Sequence, residues 1–580
     1  MDMVNVKVNG IAVSVPKGST ILEAAHAAGV EIPTLCYLKD MNEIGACRIC
    51  VVEATGARGL VTACVYPVAE GMEIQTNTDK VRAARKTTLE LILSTHEKKC
   101  LSCVRSTNCE LQKLCLDYGV EDNGKYDGFH PEYALDESSP HMIRDNNKCI
   151  LCRRCVAACQ QQFVSVIGAN DRGIDTHIAC AFEKPLGDVP CVSCGQCINV
   201  CPTGALREKD NTAEVFEALS DPDKIVLVQT APAVRAAIGE EFGLPIGTPC
   251  EGKMVAALRR LGFDKVFDTD FGADMTIVEE ATELVHRVKN GGVLPMITSC
   301  SPGWVKFAEL YYPDQLANLS TCKSPQQMFG AILKTYYAEK NGIDPRNIVS
   351  VSVMPCTAKK FEITREDEDA AGMPDVDISI TTRELARMIR RAGLNFTALP
   401  DEEFDMPLGA DTGAAVIFGA TGGVMEAALR TANDVLTGKD NGSVDFTEVR
   451  GMEGLKEATY TIAGLEVKVA VASGLTAANH VMSMIKDGTA PWTFVEIMCC
   501  PGGCINGGGQ PIVPAVVRNF EDYRAKRAKV LYDMDRDMPL RKSHQNPMVV
   551  EIYKDYFGSF GSHKAHEVLH THYTARKKFR

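Results

Sequence analysis

The sequence predicts a multidomain protein that is α+β over its first 210 residues and α/β beyond. Three observations predict it. A chain of 580 residues is too long for one core and divides into roughly three to five domains. Cysteines crowd into spaced runs before residue 211. From there to about 530, strand-like runs alternate with helical stretches, the pattern of mostly parallel sheets. The hydrophobic fraction of 45% and charged fraction of 24% are those of ordinary folded domains. A net charge of -13 argues against nucleic-acid binding. The start, MDMVNVKVNG, has no export signal, and no run of about 18 apolar residues exists to span a bilayer, so a cytoplasmic protein with no membrane partner is expected.

Residues 1–80 read as a small β-rich domain. VNVKV and IAVSV alternate around Asn9-Gly10, a hairpin signal, and a helix opens at a Thr20-x-x-Glu23 capping box and closes at Gly29. Cys36, Cys47, Cys50 and Cys64 follow, one close pair and two outlying thiols, as a loop around a 2Fe2S cluster requires. Residues 81–138 begin with a helix to about 95. His96, Cys100, Cys103 and Cys109 then crowd together, a set that suits zinc or a 4Fe4S cubane by spacing alone. Their place between two iron-sulfur modules favours the cubane. Cys115 fits no ligand set and reads as a buried thiol.

Residues 139–210 hold two matching runs, CILCRRCVAAC and CVSCGQCINVCP. The two-two-three spacing gives three thiolates to one cubane and the last cysteine to its neighbour. One cluster is assigned to Cys149, Cys152, Cys155 and Cys201, the other to Cys191, Cys194, Cys197 and Cys159. The Cys-Pro ending is present at Cys201-Pro202, whereas Gln160 follows Cys159. Zinc knuckles seldom repeat this spacing, and paired disulfides do not suit a reducing compartment.

Residues 211–530 supply the strand-like runs KIVLVQT, VLPMITS, NIVSVSV, VKVAVAS and TFVEIM. Three end in cysteine loops: Cys300, Cys356, and the group Cys499, Cys500 and Cys504. Ligands in open α/β sheets gather at strand carboxyl ends, so these loops are expected to converge on one buried site. The runs GGGQP (Gly507 to Pro511) and FGATGG (Phe418 to Gly423) offer close backbone approach, and neither is a phosphate loop, because no Lys-Ser or Lys-Thr follows. Residues 531–580 carry His563, His566, His570 and His572, read as exposed helix histidines in preference to a metal site. Cys180, Cys250 and Cys322 read as structural thiols.

At TSCSPGW, MPCTAKKFE and EIMCCPGGCINGGGQP the chain resembles the catalytic domain of the iron-only (FeFe) hydrogenases. The resemblance covers essentially the whole chain and is to the long clostridial type with a full set of accessory modules. It implies a β-grasp 2Fe2S domain, a one-histidine three-cysteine 4Fe4S domain, a two-cubane ferredoxin domain, a large two-lobed α/β catalytic domain and a closing small-subunit-like segment. It implies an H-cluster: a 4Fe4S cubane joined to a diiron unit with carbon monoxide, cyanide and azadithiolate ligands. Three accessory 4Fe4S clusters and one 2Fe2S cluster complete the cofactors.

By the resemblance, Cys356, Cys500 and Cys504 are cubane ligands, Cys504 bridging to the diiron unit, and Lys359 hydrogen-bonds a cyanide. Met354, Met498 and Phe418 form an apolar wall, and Pro232 and Gln326 line the same pocket. Protons are expected to pass through Arg287, Glu283, Ser320, Glu280 and Cys300; Glu280 and Glu283 are three apart in a helical stretch, hence on one face. One position departs from the family's T-S-C-C-P: Ser301 replaces the second cysteine, normally a cubane ligand. Three arrangements follow: Ser301 ligates, Cys300 shifts into its place, or another thiol such as Cys499 substitutes. A sulfur suits iron better than an alkoxide.

The implied reaction is reversible reduction of protons to dihydrogen, with electrons from ferredoxin or a similar carrier and the diiron unit inserted by maturation proteins. The alternatives are a catalytic subunit of an electron-bifurcating NAD(P)H/ferredoxin complex, with flavin- and NADH-binding partner subunits, and a low-activity sensory relative, which Ser301 keeps open. The accessory half also resembles an iron-sulfur subunit of NADH dehydrogenases, which accounts for nothing after residue 210.

Overall fold

The computed structural model describes residues 2–579 apart from 122, 123, 127, 128, 438, 441, 443, 453, 463 and 464. Turn chemistry builds the first module. Strands Met3–Val8 and Ile11–Pro16 pair antiparallel around Asn9 and Gly10, whose φ values of 50° and 84° match the twist of a two-residue hairpin. Met3–Val8 also pairs parallel with Glu73–Gln75, in a five-stranded sheet completed by Val51–Ala54 and Val61–Thr62. Helix Ile21–Ala27 opens at the Thr20–Glu23 capping box and buries Ile21, Leu22, Ala24 and Ala25 against Val4, Val6 and Val8.

Helix Asp79–Leu93 begins two residues before the expected start, because Thr78 accepts the Val81 N–H and caps it. Helix Glu110–Asp117 follows the cysteine cluster and is capped by the Cys109 sulfur. The doubled cysteine runs each enter a short helix, Arg154–Gln161 and Gln196–Asn199. Two antiparallel pairs frame them: Met142–Arg144 with Leu206–Glu208, and Ile167–Asn170 with His177–Cys180.

The α/β domain has two lobes, each on its own four-stranded sheet. The first orders Lys265–Asp268, Ile225–Thr230, Ile348–Met354 and Ile378–Thr381, all parallel. The second orders Met296–Ile297, Phe494–Met498, Leu465–Ser473 and Leu455–Ile462, parallel except for the last strand. Lys265–Asp268, Ile378–Thr381 and Leu455–Ile462 are strands beyond those expected from sequence. The VLPMITS run yields only Met296–Ile297; Pro295, lacking an N–H, precedes it.

Helix Thr269–Asn290 lies between the lobes. Phe271, Met275 and Val278 pack with Leu227 and Phe267 of the first, whereas Ala273, Ile277 and Leu284 pack with Met296, Val469 and Phe494 of the second. Burying each large apolar side chain contributes about 1.5–3 kcal/mol. A helix apolar on two faces is enclosed, and the carboxyl of Glu280 is carried inside with it, 1% exposed.

Helix Tyr523–Asp537 runs through residue 530 and packs Ala528, Val530 and Leu531 on the catalytic domain. Near the carboxyl end, helix His563–Leu569 buries Ala565, Val568 and Leu569 against the first lobe. The expectation of exposed histidines fails at His570, which is buried. Packing of this segment onto helix Thr269–Asn290 places its ring 3.1 Å from Glu279. Among the described residues no helix is long and apolar enough to cross a membrane.

Candidate active site

Parallel strands deliver their following loops to one edge, and here two sheets face their loops into one cavity. Ile225–Thr230 leads to Pro232, Ile348–Met354 to Cys356, Met296–Ile297 to Cys300, and Phe494–Met498 to Cys499, Cys500 and Cys504. All of these residues line the cavity, together with Ser301, Gln326, Met354, Lys359, Phe418 and Met498. The three cysteine loops therefore converge. Every pocket residue expected from the sequence is in its wall.

The glycine runs make the convergence sterically feasible. A Cβ on Gly508 would lie 2.6 Å from Gly195 Cα, and one on Gly503, where φ is 94°, would lie 2.6 Å from the Thr421 nitrogen. GGGQP thus sits against the two-cubane module, and FGATGG sits against the loop bearing Cys504. Arg383 fastens the first contact, donating to the Gly508 and Gln510 carbonyls.

The donor set fits a soft, multi-iron group. All twenty-four cysteines are unpaired. Burial pushes the Cys504 thiol up to about 12 and Cys356 higher still, so these sulfurs ionise readily only with a cation beside them. Lys359 is buried at the rim. Its Nζ donates to Ser324 Oγ at 2.7 Å, pairs with Glu362 at 2.8 Å and reaches the Cys300 carbonyl at 3.3 Å. Glu362 also accepts from Ser324 and Gln326, so it positions Gln326 in the wall and Ser324 behind Lys359. Its i,i+3 spacing from Lys359 was a readable signal; Ser324 gave none.

A chain of polar groups leads from the cavity to the surface. Burial pushes the Glu280 carboxyl up to about 8, opposed by its hydrogen bond with Ser320; one oxygen has no partner. Ser320 Oγ donates to Glu283 at 3.1 Å, and Arg287 pairs with Glu283 at 2.5 Å. At the inner end, burial and the Glu280 carboxyl push the Cys300 thiol up. The structure thus brings together all five expected relay residues. Sequence reasoning missed Thr321, which donates to Glu283 and meets His570 Nδ1 at 2.7 Å, and Tyr573, whose hydroxyl donates to the Ser320 carbonyl. His570 and Tyr573 come from a segment some 250 residues away and carry no local pattern.

The doubled cysteine runs fall into two groups. Cys149, Cys152, Cys155 and Cys201 line one small cavity, and Cys159, Cys191, Cys194 and Cys197 line another. Cys50 and Cys64 sulfurs stand 3.3 Å apart, too far for a disulfide, and Cys36 is hydrogen-bonded to Cys47. His96 is buried with its Nδ1 unpartnered, and desolvation holds its pKa down to about 4. A neutral imidazole with a free nitrogen is ready to bind metal. Among the described residues, His96, Cys100, Cys103 and Cys109 are not drawn to the spacing of a single ion, in contrast to Glu283, Cys322 and His570. Cys115 is half-buried beside Cys109 in an apolar cluster. Cys180, Cys250 and Cys322 are buried.

The sites connect through shared hydrogen bonds. Asn42 donates to both the Cys36 and Cys152 carbonyls, and Arg105 donates to the Cys201 carbonyl. A Cβ on Gly204 would lie 2.6 Å from Cys103 Sγ. Cys194 lines the catalytic cavity as well as its own.

Residues 224–508 match the iron only hydrogenase large subunit, C-terminal domain, and 521–576 the iron hydrogenase small subunit. Residues 1–79 match a 2Fe-2S iron-sulfur cluster binding domain, 85–123 the NADH-ubiquinone oxidoreductase-G iron-sulfur binding region, and 148–205 a 4Fe-4S dicluster domain. NADP-reducing hydrogenase subunit HndD of Solidesulfovibrio fructosivorans is 50% identical, with 100% of both chains covered. Iron hydrogenase 1 of Clostridium pasteurianum is 45% identical over 98% of this chain and 100% of its own. A solved FeFe-hydrogenase HydA1 of Chlamydomonas reinhardtii superposes with a TM-score of 0.57 and 42% identity, covering 63% of this chain and 99% of that one.

Proposed function

The chain belongs to the iron-only hydrogenase family, oxidoreductases acting on hydrogen, and on that premise we propose that it reversibly reduces protons to dihydrogen at the cavity between its two lobes. The observation that carries the reading is the meeting of Cys356, Cys500 and Cys504 with Lys359 in one wall, beside a buried carboxyl that leads outward. The group these residues would hold is an H-cluster, which when bound supplies the redox chemistry and the open metal position.

The chain's own residues do the rest. Cys356, Cys500 and Cys504 would hold the cubane, and Lys359, fixed by Ser324 and Glu362, would present a cation to an anionic ligand. Met354, Phe418 and Met498 keep water from that face, while Pro232 and Gln326 shape it. Protons would move between Arg287, Glu283, Ser320, Glu280 and Cys300: hydrogen bonds join the chain from Arg287 to Glu280, and the Glu280 carboxyl stands close enough to Cys300 to act on its thiol. Protonated Glu280 at neutral pH can give a proton inward and regain one from Ser320.

Electrons would converge from two outer sites. Asn42 joins the 2Fe2S loop, and Arg105 joins the His96 set, to the site of Cys149, Cys152, Cys155 and Cys201. From there the path runs through the Cys159, Cys191, Cys194 and Cys197 site to the catalytic cavity. A ferredoxin-like carrier is the expected donor.

A second reading is favoured by the 50% identity to a subunit of an NADP-reducing hydrogenase over the full length of both chains. Under it, partner subunits would bring the nucleotide and flavin, for which this sequence carries no fingerprint. Isotope exchange tests the shared core of both readings: matured protein under deuterium gas in ordinary water should form HD without any electron donor. No HD from iron-replete, matured protein would remove both. Hydrogen-dependent NADP reduction that appears only when a flavoprotein copurifies would select the second.

A further inference from the structure

Ser301 stands where the family's second loop cysteine is expected, and its hydroxyl is already engaged. It precedes helix Pro302–Tyr311 but makes no capping bond to it. Its Oγ instead accepts the backbone N–H of Cys499 at 3.2 Å. That bond ties the start of this helix to the loop after strand Phe494–Met498. Residue 499 is thereby held beside residue 301.

Cys499 has the position to supply it. It is buried, lines the same cavity as Cys356, Cys500 and Cys504, and its sulfur is hydrogen-bonded to the sulfurs of Cys500 and Cys194. Gly303, the second residue of the helix, makes the room: a Cβ there would lie 2.7 Å from Cys499 Sγ. The other spare thiol faces elsewhere. Cys300 packs with Phe418 and Met498 and confronts Glu280, at the end of the cavity where the proton chain arrives.

We propose that Cys499 is the fourth thiolate of the catalytic cubane, in place of the cysteine absent at 301, which leaves Cys300 to proton transfer. This deepens the function read above and rests on it. Iron in a sulfide cluster prefers a soft thiolate to a serine alkoxide, and the serine hydroxyl is far harder to ionise. On binding, the Cys499 thiol releases one proton to solvent as its Fe–S bond forms, and no electron is transferred. The assignment also makes one cubane ligand touch Cys194, so the catalytic and nearest accessory sites would be joined through two sulfurs in contact.

The test uses the full chain, assembled with iron-sulfur clusters but without diiron maturation, and reads iron per chain together with the Mössbauer spectrum. Cys499→Ala should lose the iron of one cubane, Ser301→Ala should keep it, and Ser301→Cys/Cys499→Ala should regain it. Loss in Ser301→Ala or Cys300→Ala with retention in Cys499→Ala would overturn the proposal. If Cys499→Ala holds no clusters at all, the double variant decides: recovery supports Cys499 as ligand and no recovery overturns it. Cys356→Ala separates this proposal from its premise. Retention of all iron in that variant would mean that no cubane sits in the cavity, so the hydrogenase reading itself fails.

Discussion

The guanidinium of Arg383 holds the carboxylate of Glu208 at 2.8 Å, a buried ion pair that joins the catalytic domain to the two-cubane module. The same side chain reaches the Gly508 and Gln510 carbonyls and Asn199, so one residue sets how the accessory sites face the cavity. Replacing Arg383 with methionine leaves Glu208 with Arg387 alone and should destabilise the protein by about 1.5–3 kcal/mol, the loss of a charged hydrogen bond. Denaturant unfolding checks the loss. Stability equal to the parent chain would show that the pair does not fasten the modules.

Glu280→Gln should lower hydrogen evolution by about two orders of magnitude or more, with iron content unchanged, because the amide keeps the shape and cannot pass a proton. The sign of the pH dependence follows from the raised pKa. Burial keeps Glu280 protonated at pH 7, and it ionises as pH rises through about 8. Evolution limited by this relay should therefore decline on the alkaline side of about pH 8. A rate that stays flat to pH 9, or parent-like turnover in Glu280→Gln, would remove the relay assignment.

Lys359→Met should leave Glu362 buried with only neutral donors and remove the cation at the cavity rim. The expected result is loss of most carbon monoxide and cyanide infrared bands from matured protein, with accessory-cluster signals retained. Bands of unchanged intensity and position would mean that Lys359 touches no cyanide.

His96→Ala should cost the chain the iron of one cubane, and His96→Cys should preserve it, since a thiolate satisfies the same iron. Zinc lost in place of iron would identify the other metal that the spacing allows. Metal analysis of both variants distinguishes these outcomes.

What the sequence revealed was local. The spacing of Cys149 to Cys201 led to the expectation that each run lends its last cysteine to the other's site, and two cavities group the cysteines in those same sets. The strand-then-cysteine pattern foretold a shared cavity, because parallel strands end on one side. The glycine run GGGQP offered close backbone approach but did not name Gly195 as its partner. What lay hidden was long-range. His570 reads as one of several histidines on a polar helix, and only the folding of that segment back onto the catalytic domain brings it to Glu279 and Thr321. The edge strand Leu455–Ile462 alternates too weakly to declare its antiparallel pairing with Leu465–Ser473. The bond from Cys499 N–H to Ser301 joins residues nearly 200 apart.

The most direct test is hydrogen evolution from anaerobically purified, fully matured protein with reduced viologen as donor, normalised to iron content. Rapid evolution is predicted, and it would show that a chain with serine at 301 sustains a working catalytic cluster. No gas from protein shown to be iron-replete and to carry the diiron unit would contradict the account.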